Sequence, residues 1–199
     1  KYGCEIISAD SRQFFKEMNI GTAKVTPEEM EGIPHHFVDF LPAEELYTAG
    51  KCETDVLAKL TELFENKEVA IMVGGSGLYV NAVLSGIDEM PSDAGIREEL
   101  NQELIDNGLR HMQQKLKKLD YEHYQNMDLR NPQRLIRAIE VCLVSGKKYS
   151  DLRYQKPKER DFDIIKVGLT ADRELIYDRI NQRVDQMVDD GLVEEVNLN

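Results

Sequence analysis

The sequence lacks the two features that would place the chain in a membrane or outside the cell. No apolar run approaches the roughly 18 residues that a membrane-spanning helix needs, and no secretory signal is recognisable. The composition, 41% hydrophobic and 31% charged residues, is typical of a soluble globular protein. We therefore expect a cytoplasmic protein without a membrane partner, built as one domain or as a core with an insertion.

Cysteine and histidine are too few and too scattered to predict a metal site. The three cysteines, Cys4, Cys52 and Cys142, lie far apart and show no metal-ligand spacing, so buried thiols in a reducing compartment are expected. The four histidines include one adjacent pair, His35 and His36, without cysteine or carboxylate partners at ligand spacing. No metal-ligating side chains are predicted.

Positive charge is scarce overall but concentrated in one block. The net charge of −12 argues at first against a nucleic-acid partner. Residues 130–160, however, contain nine basic and three acidic residues, a local charge of +6. Because exposed charges are screened beyond about 8 Å at physiological salt, such a face can still meet phosphates. A solvated helix face followed by a charged loop explains the block equally well.

The most informative stretch is residues 4–13, Cys-Glu-Ile-Ile-Ser-Ala-Asp-Ser-Arg-Gln. It predicts a short apolar strand that ends in polar side chains, and ligands in open α/β sheets bind beyond the carboxyl ends of strands. Asp10 at that end could act as a general base for a substrate proton within hydrogen-bond reach. It could instead cap a helix that starts at Ser11.

A second strand is predicted at residues 69–73, followed by Gly-Gly-Ser-Gly and the start of a helix. A run that is apolar throughout suits a buried parallel strand. The glycines allow close approach of backbone or ligand, and the N-terminus of the helix favours anions. The turn is not a Walker A loop, because no Gly-Lys-Ser/Thr follows. A tight strand-to-helix turn without a ligand explains it as well.

The order of the predicted elements favours an α/β protein with a parallel sheet core and a helical insertion domain. Residues 1–92 and 160–199 are assigned to the core, and residues 93–159 to the insertion. Leu135, Ile139 and Leu143 line one face of a helix that begins at Asn131. The other predicted elements are helices at 48–66 and at 171–196 with a break near Gly191, a capped helix start at Thr26, and strands at 37–40 and 164–169.

Two arginines on the last predicted helix form a candidate phosphate clamp. Arg179 and Arg183 are four residues apart and therefore share a helix face. Two guanidinium groups one turn apart can bind phosphate oxygens in a bidentate manner. Surface salt bridges are the alternative, and their partners would be Glu174, Asp178, Asp185 and Asp189.

Five stretches together closely resemble the tRNA dimethylallyltransferases, also called tRNA isopentenyltransferases. Each stretch is a weak signal alone, but the five occur in the family's order and spacing and span nearly the whole chain. They are residues 8–13, 19–24, 34–36, 73–79 and 131–140.

The resemblance implies a reaction and its partners. The family transfers a dimethylallyl group from dimethylallyl diphosphate to N6 of adenine 37 in tRNAs that read codons beginning with U, and releases diphosphate. Mg²⁺ assists. The implied fold is similar to the nucleotide-binding (ATP-binding) P-loop NTPases, although the P-loop grips a diphosphate and no nucleotide is hydrolysed. The implied partners are the tRNA anticodon stem-loop and dimethylallyl diphosphate, and a monomer is expected.

The resemblance also implies roles for individual residues. Asp10 matches the family's general base, and Arg183 matches the helix arginine that contacts the diphosphate; Arg179, one turn away, is added by inference. Ser76 stands where the family usually has threonine, so the hydroxyl is kept. The positions that match tRNA contacts are Asp10, Ser11, Arg12, Gln13, Ser76, Arg97, Gln133, Arg134, Leu135, Ile136 and Arg137.

One departure from the family pattern is serious. The family carries a strand and a Gly-rich P-loop upstream of the Asp10 strand, and continues past the position of Asn199 into further helices; neither is present here. We therefore expect these 199 residues alone to have little or no transferase activity and marginal stability. The alternatives are an adenylate isopentenyltransferase, a P-loop small-molecule kinase and a non-catalytic RNA-binding fragment.

Overall fold

The computed structural model describes residues 2–88, 90–153 and 156–198. Two compact units are formed, one from Lys1–Ile87 with Lys158–Asn199 and one from Asp88–Pro157. The described elements are β1 (Ile6–Ser8), β2 (His35–His36), α1 (Ala49–Phe64), β3 (Ile71–Val73), α2 (Gly77–Ser85), α3 (Ala94–Leu119), α4 (Tyr121–Asn126), α5 (Pro132–Ser145), α6 (Tyr149–Arg153), α7 (Arg173–Asp189) and α8 (Leu192–Leu198).

The first unit is built on a parallel three-stranded sheet in the order β2-β1-β3. Ile6 of the central strand pairs with His35 on one side and with Ile71 on the other. Because all three strands run in the same direction, the carboxyl ends of β1 and β3 leave the sheet at the same edge. The expected α/β class with a parallel sheet is confirmed.

Helix α1 packs its apolar face against this sheet. Cys52 and Val56 on the helix and Ile7 on β1 are fully buried in one cluster. Thr48 caps the helix by accepting a hydrogen bond from the Lys51 amide, so the helix expected at residues 48–66 is confirmed. Phe14 fills the space beside the helix and makes edge-to-face contacts with Phe40, Tyr47 and Tyr79 at centroid distances of 5.0–5.6 Å.

The second unit is helical, as the sequence predicts for residues 94–150. Helices α3 and α5 enclose a core that contains Leu100, Met112 and Ile139. Asn131 caps α5 by accepting from the Arg134 amide, and Gly146 ends the helix in the left-handed region at φ 66°. Leu143, expected on the same face as Ile139, is instead 42% exposed.

The helix predicted to start at Thr26 and the strand predicted at residues 37–40 do not form, because the backbone enters the left-handed region at both places. Thr26 and Glu29 form the expected reciprocal capping box, but the chain makes only a turn, since Glu31 (φ 50°) and Gly32 (φ 74°) cannot continue a helix. The strand predicted at residues 37–40 is wrong, and the strand in this region is β2, which ends at His36. Phe37 (φ 62°) and Asp39 (φ 57°) turn the chain away from the sheet.

The strand predicted at residues 164–169 is wrong for a different reason. The segment has no regular secondary structure and pairs with no strand in the ranges that the structure describes, and Ile165, Val167 and Leu169 are exposed. It borders a cavity of about 340 Å³ that Met72 and Val83 also line. An apolar pattern favours a strand but does not supply the hydrogen-bonding neighbour that a strand needs.

The helix predicted at residues 171–196 is confirmed together with its break. Helices α7 and α8 are separated by Gly191 at φ 99°. None of the residues of α7 is buried. No helix within the described ranges has the length and apolar character required to cross a bilayer.

Ile139 and Leu143, one helical turn apart on α5, give a matched test of the packing between α3 and α5. Ile139→Ala empties a fully buried position and should lower the free energy of unfolding by about 2–5 kcal/mol. Leu143→Ala, one turn further along, should lower it by less than about 1 kcal/mol, because that side chain is already half in water. Urea unfolding followed by circular dichroism measures both. Equal losses for the two variants would contradict the assigned face.

Candidate functional site

Two predicted motifs meet at the carboxyl ends of β1 and β3. The Ala9 amide donates to the Val73 carbonyl at 2.7 Å, and the Ser76 amide donates to the Ala9 carbonyl at 3.2 Å. The Ser76 hydroxyl accepts from the Ser11 amide at 2.9 Å and donates to the Ser11 hydroxyl at 3.0 Å. Residues that are 65 positions apart in the chain therefore form one polar cluster.

Glycine at position 74 makes this meeting possible. A Cβ atom there would lie 2.4 Å from the carbonyl carbon of Ala9, which no side chain tolerates. Cβ atoms at Gly75 or Gly77 would meet nothing within 4 Å. The turn thus packs tightly against β1 on one side and leaves open space for a ligand on the other.

Asp10 is half-buried and has one oxygen committed to the turn. Its Oδ1 atom accepts from the Arg12 amide at 2.9 Å, and no helix begins at Ser11. The interpretation of Asp10 as a helix cap is therefore wrong, although it does cap a turn. Among the residues that the structure describes, none donates a hydrogen bond to Oδ2. That oxygen is the candidate proton acceptor.

Gln13 is fixed against the segment of residues 19–24, which we call the brace loop. Its Nε2 atom donates to the carbonyls of Thr22 at 3.2 Å and Ala23 at 2.9 Å. Lys24 of the same loop donates to the Phe15 carbonyl at 2.7 Å. The brace loop therefore fixes the Gln13 side chain and the backbone at Phe15, both in the segment that follows Asp10.

The arginines of α7 stand apart from this cluster. Arg179 and Arg183 are exposed, and neither forms an ion pair within the described ranges. The alternative in which neighbouring carboxylates on the helix neutralise them is not observed. Both guanidinium groups are free to bind an anion.

In the second unit, a buried carboxylate organises two of the predicted RNA-contacting arginines. Glu140 is 0% exposed and accepts from Arg97 Nη2 at 2.6 Å, from Arg137 Nη1 at 2.9 Å and from the Asp93 amide at 3.0 Å. Burial alone would raise the pKa of Glu140, but the hydrogen bonds from Arg97 and Arg137 outweigh it and lower that pKa. The side chains of Arg97 and Arg137 remain 46% and 33% exposed.

The segment predicted to contact tRNA, residues 133–137, contains both exposed and buried side chains. Gln133 and Arg134 project into solvent. The side chains of Leu135 and Ile136 are 0% and 2% exposed in the core of this unit, which does not support a tRNA contact by them, and the assignment of these two positions stays a prediction. The helical period explains this burial, because these two positions face the same side as Ile139. The Arg137 side chain is partly committed, since Arg137 also donates to the carbonyls at positions 90 and 91.

Sequence analysis missed the role of Glu140 and treated it as one acid in a basic block. Glu140 lies three residues after Arg137 on a helix, and this spacing could have predicted the ion pair between them. The second pairing joins α3 to α5 across 43 residues of chain, and nothing in the sequence marks it.

The described residues were searched for side chains that could hold a metal ion. Within residues 2–88, 90–153 and 156–198, no three His, Cys, Asp or Glu side chains converge as a metal site requires. The Mg²⁺ that the resemblance implies stays a prediction. Cys4, Cys52 and Cys142 are free thiols.

Comparison with known proteins gives the arrangement its context. The model of the IPP transferase family matches residues 13–198. This chain belongs to the IPP transferase family. The match includes Gln13, the brace loop, the Ser76 turn, the Gln133–Arg137 segment and both arginines of α7.

Curated relatives of this IPP transferase chain carry a consistent name. The tRNA dimethylallyltransferase of Christiangramia forsetii is 52% identical over 192 residues, which is 96% of this chain and 64% of the relative. The tRNA dimethylallyltransferase of Flavobacterium psychrophilum is 48% identical, with 98% of this chain and 66% of the relative covered. The chain thus spans slightly less than two thirds of the length of these relatives.

Solved structures of the family resemble this one. The full-length tRNA isopentenylpyrophosphate transferase of Bacillus halodurans is 35% identical, covers 98% of this chain and 61% of its own, and superposes with a TM-score of 0.60. A eukaryotic dimethylallyltransferase acting on tRNA has a TM-score of 0.76 at 24% identity, with 99% of this chain and 49% of its own covered. The second likeness supports the fold alone.

Glu140 predicts an acid-dependent loss of stability. Because its pKa is depressed in the folded state, its contribution is complete above the unfolded-state pKa of about 4.3 and is lost as the pH falls through the folded-state pKa. Glu140→Gln should therefore lower stability at neutral pH and flatten the fall in stability below about pH 4.3. Urea midpoints across the acid range measure this.

The control is Glu98→Gln, which removes an exposed carboxylate next to Arg97 on the same helix. It should leave both the midpoint at neutral pH and its acid dependence close to those of the parent protein. If the urea midpoint of Glu140→Gln fell with decreasing pH as steeply as that of the parent protein, the buried carboxylate would not be the cause of the acid-dependent loss of stability.

Proposed function

We propose that the full-length gene product containing this chain transfers a dimethylallyl group from dimethylallyl diphosphate to N6 of adenine 37 in tRNAs that read codons beginning with U. The observation that carries the proposal is the cluster of Asp10, Ser11 and Ser76 at the ends of β1 and β3, in a chain of the IPP transferase family. We propose that the reaction takes place in the cytoplasm and that the enzyme is a monomer.

Asp10 serves as the general base in this proposal. The N6 amine of adenine attacks C1 of the dimethylallyl group, so that an N–C bond forms while the C–O bond to diphosphate breaks. The electron pair of that C–O bond leaves with the diphosphate, and the N6 proton passes to Oδ2 of Asp10. The Arg12 amide holds Oδ1, and no described residue donates to Oδ2, which supports this assignment.

The arginines of α7 bind the diphosphate. The leaving group gains negative charge in the transition state, and a positioned guanidinium stabilises it. Arg183 takes this role and Arg179 assists, which is consistent with their exposure and lack of ion pairs in the described part of the chain. Mg²⁺ would supply further charge neutralisation when bound to the diphosphate oxygens.

The loop after β1 recognises the target base. Chemistry on an anticodon-loop adenine requires a base taken out of its stack and read by polar side chains. Ser11, Arg12, Gln13 and Ser76 line the place where that base would sit. Arg12 is exposed, and the space beside Gly75 is open.

The second unit supplies phosphate contacts to the anticodon stem-loop. Arg134 is exposed, and Arg97 and Arg137 keep part of their guanidinium surface in water while Glu140 orients them. Ordered arginines on an acidic protein give local attraction for phosphate without a basic net charge.

An adenylate isopentenyltransferase remains the nearest alternative, because Asp10 and Ser76 could serve a free adenine nucleotide equally well. The ordered arginines of the second unit favour tRNA, since a stem-loop offers phosphates to several arginines at once, whereas AMP carries one. A small-molecule kinase or a non-catalytic RNA-binding protein would leave that combination of features without a purpose. Comparing transfer to unmodified tRNA with transfer to AMP separates the first two, and ATP-dependent phosphorylation would reveal a kinase.

Two substitutions at Asp10 separate its chemical role from its role in the turn. Asn keeps an oxygen that accepts from the Arg12 amide but is not a base. If Asp10 removes the proton, Asp10→Asn and Asp10→Ala should both lower the transfer rate by roughly 10²–10⁴, with tRNA affinity nearly unchanged. The measurement is transfer of labelled dimethylallyl to unmodified tRNA. Normal turnover by the Asn variant would exclude the base role.

Arg183→Ala should impair use of the diphosphate substrate. Losing one positioned charge at the leaving group is expected to lower kcat by roughly 10²–10³. Arg173→Ala is the matched control, because Arg173 is exposed on the same helix and lies over the ring of Tyr177. Steady-state kinetics with varied dimethylallyl diphosphate compare the two. Similar kinetics for both variants would remove Arg183 from the diphosphate site.

A further inference from the structure

A carboxylate from the end of the chain binds three successive backbone amides of the brace loop. Oε2 of Glu195 accepts from the amides of Asn19 and Ile20, both at 2.8 Å, and Oε1 accepts from the Gly21 amide at 2.9 Å. These contacts join helix α8 to a loop about 175 residues earlier in the chain.

The brace loop is preshaped for a carboxylate. The Ala23 amide donates to the Ile20 carbonyl at 2.9 Å, and the Lys24 amide donates to the Asn19 carbonyl at 3.0 Å, so the loop is closed by its own hydrogen bonds. Three N–H groups that point the same way form a concave site for an anion. Burial alone would raise the pKa of Glu195, but these amides outweigh it and lower that pKa.

Apolar contact accompanies the charge. A Cβ atom at Gly21 would lie 3.1 Å from Cδ1 of Leu192, one helical turn before Glu195. Ile20 Cδ1 lies 4.0 Å from the Cβ position of Gly191. Helix α8 is therefore seated on the brace loop, whereas α7, which carries Arg183, has no buried residue.

The other side of the brace loop holds the segment after Asp10. The carbonyls of Thr22 and Ala23 accept from Gln13 Nε2, as described above. A continuous set of contacts thus runs from α8 through the loop to Gln13. It joins the helix pair that carries the diphosphate arginines to the segment that carries the base.

We propose that Glu195 is a positioning residue that sets α7 in register with the Asp10–Gln13 segment. The proposal rests on the proposed function, because it assigns the two joined elements to the two substrates. Reactions between two bound substrates require the reacting groups within a narrow range of geometry, so a small displacement of α7 lowers the rate.

The role depends on the carboxylate and not on side-chain size. An ionised carboxylate accepts hydrogen bonds on both oxygens, whereas a glutamine of the same shape has one acceptor and one donor. Glu195→Gln therefore directs an NH₂ group at an N–H group of the loop. Glu195→Asp keeps the charge on a side chain one methylene shorter. Glu194→Gln is the control, since Glu194 is the exposed neighbour on the same helix.

Hydrogen exchange of the full-length protein tests the contact without any assay of activity. Glu195→Gln should speed exchange of the amides of Asn19, Ile20 and Gly21 by at least about tenfold, because only one acceptor oxygen remains for three amides and the new NH₂ group repels the loop N–H groups. Glu194→Gln should leave the same amides protected. Unchanged protection in Glu195→Gln would overturn the proposal.

Kinetics of the same variants test the positioning. Glu195→Gln should lower kcat by about 10- to 100-fold while the Kd for tRNA stays within about twofold. Glu195→Asp should retain more activity than the Gln variant. Faster exchange with unchanged kcat, or equal loss for Asp and Gln, would overturn the positioning role. Absence of transfer by the parent protein would overturn the proposed function instead, and the exchange rates would still decide whether the contact exists.

Discussion

The candidate site depends on the close approach of the Ala9 backbone to Gly74. Two amide–carbonyl hydrogen bonds tie the turns after β1 and β3 together there, and the Ser11–Ser76 pair extends the contact. A side chain at position 74 would collide with the Ala9 carbonyl and separate the turns. Since Asp10 lies between these contacts, the direction of its carboxylate is set by the sheet and not by the loop alone. Ligand chemistry at a strand end gains precision in this way.

Two carboxylates away from the reacting groups, Glu195 and Glu140, fix other parts of the structure. Glu195 fills the amide site of the brace loop, and Glu140 fixes two arginines and the start of α3. In both cases burial opposes ionisation and several donors outweigh it, so each acid stays charged. An acidic protein can therefore present cations in fixed directions, because some of its acids are used to hold its bases.

Sequence reasoning succeeded where the signal is local and failed where a partner is remote. The helix after Thr48, the helix start at Asn131 and the break at Gly191 depend on neighbours within one turn, and all three were predicted. The strand expected at residues 164–169 had the right pattern, but strand formation requires a paired backbone that no local pattern supplies. Leu135 and Ile136 show the same limit, because a motif match does not separate core positions from exposed ones. The carboxylate contacts of Glu140 and Glu195 span 43 and about 175 residues and were invisible to local reasoning.

The arginine pair at Glu140 shows why geometry matters more than charge at such a surface. Arg97, Arg137 and Glu140 together carry one positive charge, which a single unpaired arginine would also supply. Free arginine side chains lose rotamer entropy when they bind a phosphate, up to about 2 kcal/mol each. Glu140 has already restricted both side chains, so less entropy is lost on binding. The neutralised charge weakens long-range attraction, while the ordered guanidinium groups favour ligands whose phosphates match their spacing. Under the proposed function, a surface built in this way would select for the shape of a folded RNA more than for polyanions in general.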